Sequence, residues 1–218
     1  IGSSLVGSEM CIRDSQSIWY FTDLPDDVVN ILNNDLFYKY SSRMEDSKLH
    51  GDKLDKKKRD SKNTWIPSTH WVGGFIWHYV QRANRDNFLY DISHIDGESM
   101  QYTQYEEGEF YNWHTDSNLD VHYKPDWTNP TAGDTIDNLK THTDYLNKKT
   151  ELVRKLSFTL QLSSPDDYEG GNIQFLNEAN QKIIAPRQRG AIILFDSRTK
   201  HRVCLLYTSD AADEVDGV

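Results

Sequence analysis

The chain has 218 residues, a formal net charge of −10, 37% hydrophobic and 12% aromatic residues, and two cysteines. That length is enough for one well-buried core, and the acidic balance argues against a nucleic-acid backbone or an anionic membrane as the principal partner. No apolar run approaches bilayer-spanning length and no secretory signal pattern is present, so the expectation is a soluble, cytoplasmic protein.

Both ends carry a second signal. Leu5 to Ser15 (LVGSEMCIRDS) and Cys204 to Glu214 (CLLYTSDAADE) resemble translated adapter DNA from transposon-based library preparation. CLLYTS can be written TGT CTC TTA TAC ACA TCT, whose reverse complement contains ATG TGT ATA AGA GAC A. That string reads Met-Cys-Ile-Arg-Asp, as at Met10 to Asp14. One DNA element read on opposite strands accounts for both termini, so residues 1–15 and 204–218 are expected to be artefact and 16–203 a single domain. Half of the net charge and both cysteines, Cys11 and Cys204, fall in those ends. The remainder is mildly acidic and holds neither a disulfide nor a cysteine-ligated zinc.

Along the chain, Asp23-Leu24-Pro25 before VVNILNNDLFYKY predicts a helix with Asp23 as cap and Pro25 in its first turn. Ser42 to Asn63 is charged and aperiodic and reads as a solvated loop, with nucleic-acid contact through Lys56 to Arg59 a minor alternative. Ser68 to Asn84 places Trp71, Phe75, Tyr79 and Val80 near one stripe and predicts a second helix, so helices occupy 23–86. From residue 90 to 203 the runs LYDISHI, SMQYTQY, EFYNWHTD, KLSFTLQL, NIQFL, KIIAP and AIILFD are short and rich in aromatic or β-branched residues, which predicts strands. The polar segment 117–151 reads as a long insertion, a candidate lid. Helices followed by seven or more strands argue for a mainly β sandwich or barrel with flanking helices.

A His and an Asp two residues apart on an extended segment share a face, and a second His from a distant strand completes a one-sided 2-His-1-carboxylate triad that suits ferrous iron. About one His-x-Asp tripeptide is expected by chance in a chain of this composition, and four occur, beginning at His50, His94, His114 and His142. His114-Thr115-Asp116 follows the strand-like FYNW, whereas His142-Thr143-Asp144 lies in a polar stretch without period-two alternation, so the first is preferred. His201 follows the apolar strand Ala191 to Phe195 and a turn-like DSRTK, and should open the next strand of a hairpin. The histidines at 50, 70, 78, 94 and 122 read as surface or satisfied core groups.

The succession of Tyr105 to Asp116, then Arg154 to Gly171 with its Gly170-Gly171 pair, then Gly190 to Val203 resembles the iron(II)/2-oxoglutarate dioxygenases of the prolyl 4-hydroxylase type, particularly their small microbial members. The resemblance implies a double-stranded β-helix, or jelly roll, with helices outside the larger sheet and its last strand expected to be missing. It implies iron(II) on His114, Asp116 and His201, with 2-oxoglutarate and O2 as cosubstrates and ascorbate as reductant. It also implies that Tyr105 hydrogen-bonds 2-oxoglutarate, that Gln161 replaces a cosubstrate-contacting Tyr, and that Tyr111 borders the substrate, a peptide, protein or small molecule. The alternation in KLSFTLQL agrees, with Leu156, Phe158, Leu160 and Leu162 on one face and Ser157, Thr159 and Gln161 on the other. Relatives anchor the distal 2-oxoglutarate carboxylate with an Arg or Lys about ten residues after the second His. Here none follows Arg202, and Arg202 should face away from His201, so the chain is expected to bind iron better than 2-oxoglutarate. Two other readings fit the pattern: a cupin-like metal-binding jelly roll, either isomerase or sugar-binding module, and an interaction protein with an accidental triad.

Overall fold

The computed structural model describes residues 17–49, 53–92, 95, 99–117, 154–177 and 179–207. All but one residue of the insertion expected at 117–151, the tripeptide at His142, and most of both adapter-like ends lie outside them. Helix α1 (Asp26–Tyr40) buries Val29, Leu32, Leu36 and Tyr40, which recur every three or four residues. Pro25 (φ −60°, ψ 143°) stands at the N-cap, so the helix starts later than expected and Asp23 does not cap it. Asp26 and Asp27 instead place their charge in the first turn, where the unpaired N–H groups favour it.

Helix α2 (Trp71–Ala83) begins behind His70, whose ring Nδ1 accepts the Val72 N–H at 3.4 Å. It buries Val72, Val80 and Ala83. Trp71 lies off this stripe, 46% exposed, with its indole N–H donated to Asp35 Oδ2 at 2.6 Å. A π-helical turn (Asn84–Phe88) follows, and Leu89 takes a left-handed φ of 56°.

The described strands are β1 (Ile18–Phe21), β2 (Glu45–Asp46), β3 (Arg59–Asp60), β4 (Lys62–Pro67), β5 (Ser99–Gln104), β6 (Phe110–His114), β7 (Leu156–Leu160), β8 (Glu169–Gly170), β9 (Ile173–Leu176), β10 (Lys182–Ile184), β11 (Ile192–Asp196), β12 (His201–Val203) and β13 (Leu206–Tyr207). They form sheets ordered β1-β11-β7, β10-β9-β12-β6-β3 and β2-β4-β5, with β13 beside β8. Strand β11 shows how the layers stack. Ile192 and Leu194 face the helices, together with Leu156, Phe158, Leu160 and Leu162, while Ile193 and Phe195 meet Phe175 and Ala185 between the sheets. The mainly β jelly-roll architecture with helices on one outer face is therefore present, and the alternation of KLSFTLQL is as expected.

Three further expectations need correction. Tyr90 to Ile92 form no strand, because the Asn84 side chain takes both the N–H and the carbonyl of Tyr90 at 2.8 Å and leaves neither for a ladder. Ser42 to Asn63 is not a solvated loop: it holds β2, β3 and the start of β4, and buries Arg59, Ser61 and Asn63 at every second position. Lys56 in the same run is paired with Asp46 and Asp60 at 3.4 and 3.1 Å. Finally, β12 makes no hairpin with β11. Both edges of β11 are already taken by β1 and β7, so the chain crosses to the facing sheet, where β12 inserts between β6 and β9.

That crossing is held by Asp196. Its buried carboxylate accepts from Arg198 Nε at 2.9 Å and Nη2 at 2.7 Å, from the Arg198 backbone N–H, and from the Tyr90 hydroxyl. Burial alone would raise its pKa, but the Arg198 and Tyr90 hydrogen bonds outweigh burial and bring it to about 2. A carboxylate depressed on folding stabilises above its unfolded pKa, and that contribution fades as pH falls from about 4 towards 2. Asp196→Asn is expected to cost about 2 kcal/mol at pH 7 and to flatten the acid limb of the stability curve, as read by urea unfolding at a series of pH values.

Candidate metal centre

Strand β6 ends on His114 and strand β12 begins on His201, and the two are direct cross-strand partners. The register then slips, three residues of β6 spanning two of β12 between this pair and Tyr111–Val203. This bulge matters for side-chain direction. Strict alternation would put Tyr111 and His114 on opposite faces, whereas here their rings stack at 3.5 Å with 14° between planes. Trp113 is left to the other side, where the Arg202 guanidinium lies over it at 4.7 Å and donates to Gln174. Arg202 thus engages Trp113 and Gln174 and not the triad, in keeping with its expected direction.

Beyond β6 the chain bends, and the backbone N–H groups of Asp116 and Ser117 both donate to Ser197 O, at 2.9 and 3.0 Å. This turns the Asp116 carboxylate towards the two imidazoles. His114 Nε2 lies 3.6 Å from Asp116 Oδ1 and His201 Nε2 lies 3.8 Å from Oδ2. One ligand atom from each of the three residues falls within 4.8 Å of the others. Each ring is oriented from behind: His114 Nδ1 donates to Asn112 O at 2.7 Å and His201 Nδ1 to Thr199 O at 2.9 Å. With the proton on Nδ1, both Nε2 lone pairs face the carboxylate. Burial, with the His201 charge second, pushes the His114 pKa down to about 4, so this imidazole is neutral at pH 7.

Around this core, Ser157 Oγ donates to Asp116 Oδ2 at 2.6 Å and meets Ser197 Oγ at 3.0 Å. Phe195 packs edge-on to His201 at 4.6 Å, with Phe175 5.9 Å away. Tyr105 follows β5, and burial pushes its phenol up to about 12 against the opposing charge of Arg59. Gln161 continues the polar face of β7, its amide donating to the Tyr168 hydroxyl at 3.1 Å. The Glu106-Glu107-Gly108 turn, with Gly108 at φ 81°, separates Tyr105 from β6. Gly170 allows a close approach to Leu205 O, which a Cβ would meet at 2.1 Å. Two surface depressions, of about 630 Å³ beside Leu162 and Arg189 and about 490 Å³ beside Trp65 and Gln101, include none of the three candidate ligands.

The predicted His114, Asp116 and His201 are thus brought together, with Tyr111 against them. Sequence reasoning missed Ser157 and Ser197 as supports of the carboxylate, and Arg59, whose guanidinium lies 4.7 Å over the Tyr111 ring. The signal for Ser157 was available in the alternation of KLSFTLQL. Two imidazole Nε2 atoms and a carboxylate, all on one side, form a donor set that fits a divalent iron with open positions.

Residues 130–210 match the sequence profile of the 2OG-Fe(II) oxygenase superfamily. That span includes His201 and Gln161 and begins after Asp116, so the first two candidate ligands rest on geometry. Two curated PKHD-type hydroxylases from Synechococcus sp., strains JA-2-3B'a(2-13) and JA-3-3Ab, are each 40% identical over 67 residues, 29% of this chain and 29% of theirs. The matched segment thus spans less than a third of these curated relatives. Among solved structures, a Pseudomonas putida prolyl-4-hydroxylase aligns with TM-score 0.59 and 14% identity over 87% of this chain and 85% of that one. A Trichoplax adhaerens prolyl hydroxylase, in complex with a hypoxia inducible factor oxygen degradation domain peptide fragment, gives 0.60 and 15% over 89% and 80%. A viral collagen prolyl hydroxylase from Paramecium Bursaria Chlorella virus-1, solved with 2OG, gives 0.56 and 18% over 91% and 93%. The fold is the double-stranded β-helix of the prolyl 4-hydroxylase type.

Removing any of the three donors by His114→Ala, Asp116→Ala or His201→Ala is expected to abolish tight iron(II) or cobalt(II) binding. Ser157→Ala should weaken it by about 10–100-fold, because the carboxylate loses the hydroxyl that orients it. Anaerobic metal titration followed by visible spectroscopy reads both.

Proposed function

We propose that this chain is an iron(II)- and 2-oxoglutarate-dependent dioxygenase that hydroxylates an unactivated C–H bond and releases succinate and CO2. The observation that carries this reading is the pair of imidazoles, each with Nδ1 bound to a backbone carbonyl and Nε2 turned to one shared carboxylate. His114, Asp116 and His201 hold the metal in this reading, and iron bound there supplies the dioxygen activation and the oxidising power.

The remaining roles belong to the chain. Ser157 fixes the carboxylate, and the Tyr111 ring stacked on His114 prevents that imidazole from turning while forming a wall on the substrate side. Tyr105, raised to about 12 by burial, stays a protonated donor for the cosubstrate. Gln161 and Tyr168 form the polar wall on the cosubstrate side, their mutual bond fixing which amide face is offered. Phe175 and Phe195 exclude water behind His201, which limits oxidation uncoupled from substrate. A peptidyl prolyl or other amino-acid side chain is the proposed substrate class, supported by the names of the structural neighbours. Ascorbate is the proposed reductant, by the family resemblance.

The test is succinate formation from 2-oxoglutarate under air with iron(II) and ascorbate. His201→Ala is expected to lower it by about 100-fold or more. An iron-loaded chain that binds 2-oxoglutarate but releases no succinate, with proline-rich peptides present, would favour the cupin-like alternative.

A further inference from the structure

The Tyr111 ring is stacked on His114 at 3.5 Å with 14° between planes, and the Arg59 guanidinium lies over the same ring at 4.7 Å. A face covered at 3.5 Å has no room for a second group, so Arg59 takes the opposite one. Arg59 is itself buried and tied to Ser61 and Gln101. The phenol is therefore clamped between a candidate ligand and a fixed cation, and it cannot swing away.

The other rings at the triad stand differently. Phe195 and Phe175 lie 4.6 and 5.9 Å from His201, both fully buried behind it. Ser157 backs Asp116. The open side of the triad is thus the side of Tyr111, which is only half-buried. A divalent metal binds an imidazole nitrogen at about 2 Å in the ring plane, hence about 3 Å from the ring centre. An ion on His114 Nε2 would lie about 5 Å or less from the nearest carbon of a ring stacked in this way. An oxygen atom delivered from that ion starts about 3 Å from the ring carbon, a near-attack distance. Phenols are electron-rich at the carbons ortho to the hydroxyl, and in tyrosine both of those carbons carry hydrogen.

We infer that Tyr111 is a self-modification site: when no substrate stands over the metal centre, the oxygen atom otherwise given to substrate enters the Tyr111 ring and makes it a catechol. The inference rests on the function proposed above, and the step balances as that reaction does. One atom of O2 enters between an ortho ring carbon and its hydrogen, so a C–H bond is replaced by C–OH. The other atom enters succinate as 2-oxoglutarate loses CO2. O2 accepts four electrons, two from the ring carbon and two from the 2-oxo acid. The product carries two adjacent oxygens beside the triad, a bidentate donor for iron(III), so the modified chain holds oxidised iron as a coloured complex.

The test incubates the full chain with iron(II), saturating 2-oxoglutarate and ascorbate under isotopically heavy dioxygen, without substrate. Succinate is measured together with the oxygen content of each proteolytic peptide. One heavy oxygen atom is expected on the peptide containing Tyr111, at least about tenfold above the control lacking 2-oxoglutarate. Trp65, exposed on β4, reports damage by stray radicals and should gain no oxygen that depends on 2-oxoglutarate. A visible iron(III)–catecholate band should develop in the wild type and be absent from Tyr111→Phe, whose iron(II) binding checks that the variant folds. Succinate formed with no label on Tyr111 above that control, or a band that persists in Tyr111→Phe, overturns the inference alone. If the wild type forms no succinate, the proposed function fails and takes the inference with it.

Discussion

The structure depends on the passage from β11 to β12, six residues in which the chain leaves one sheet and enters the other. Asp196 at its start is locked by Arg198 and Tyr90. Ser197 is fully buried, and its carbonyl accepts two backbone N–H groups from Asp116 and Ser117 while its hydroxyl meets Ser157. Thr199 gives its carbonyl to the His201 ring. One short segment thus fixes the direction of the carboxylate, the tautomer of one imidazole and the entry of β12 beside β6. Such a turn forms only when both sheets are in place, so the donor set is a product of tertiary structure and has no local equivalent in the sequence.

What the sequence made legible was periodic. The stripe of α1, the in-and-out pattern of KLSFTLQL and the apolar block AIILFD each carry their own period, and each appears as the matching element. The preference for His114 over His142 rested on a strand-like neighbourhood, and β6 occupies that neighbourhood. The convergence of His114 with His201 was visible only through the order of motifs along the chain, since neither tripeptide nor lone histidine specifies the register that pairs them.

What stayed hidden was set by partners rather than by period. Lys56 to Lys58 are exposed as their charge suggests, but the burial that follows at Arg59, Ser61 and Asn63 is masked, because hydropathy averages these positions with their charged neighbours. Tyr90 lies in a run with strand-like composition, yet a single Asn84 amide removes both of its ladder groups. The hairpin expected at His201 fails because the edges of β11 are claimed by segments more than thirty and more than a hundred and seventy residues away in sequence. The bulge that turns Tyr111 onto His114 leaves no mark in composition at all, since the same five residues would read as a regular strand.

The charges of the site follow from the same geometry. Asp116 is met by a serine hydroxyl and by two imidazoles, one of them held neutral at pH 7 by its burial. Arg59 on the far side of the Tyr111 ring is met by neutral oxygens and an aromatic face. The stacked pair of Tyr111 and His114 stands between the carboxylate and the guanidinium, so the two do not neutralise each other. A divalent cation would answer the first charge without meeting the second, because the stacked rings lie between them.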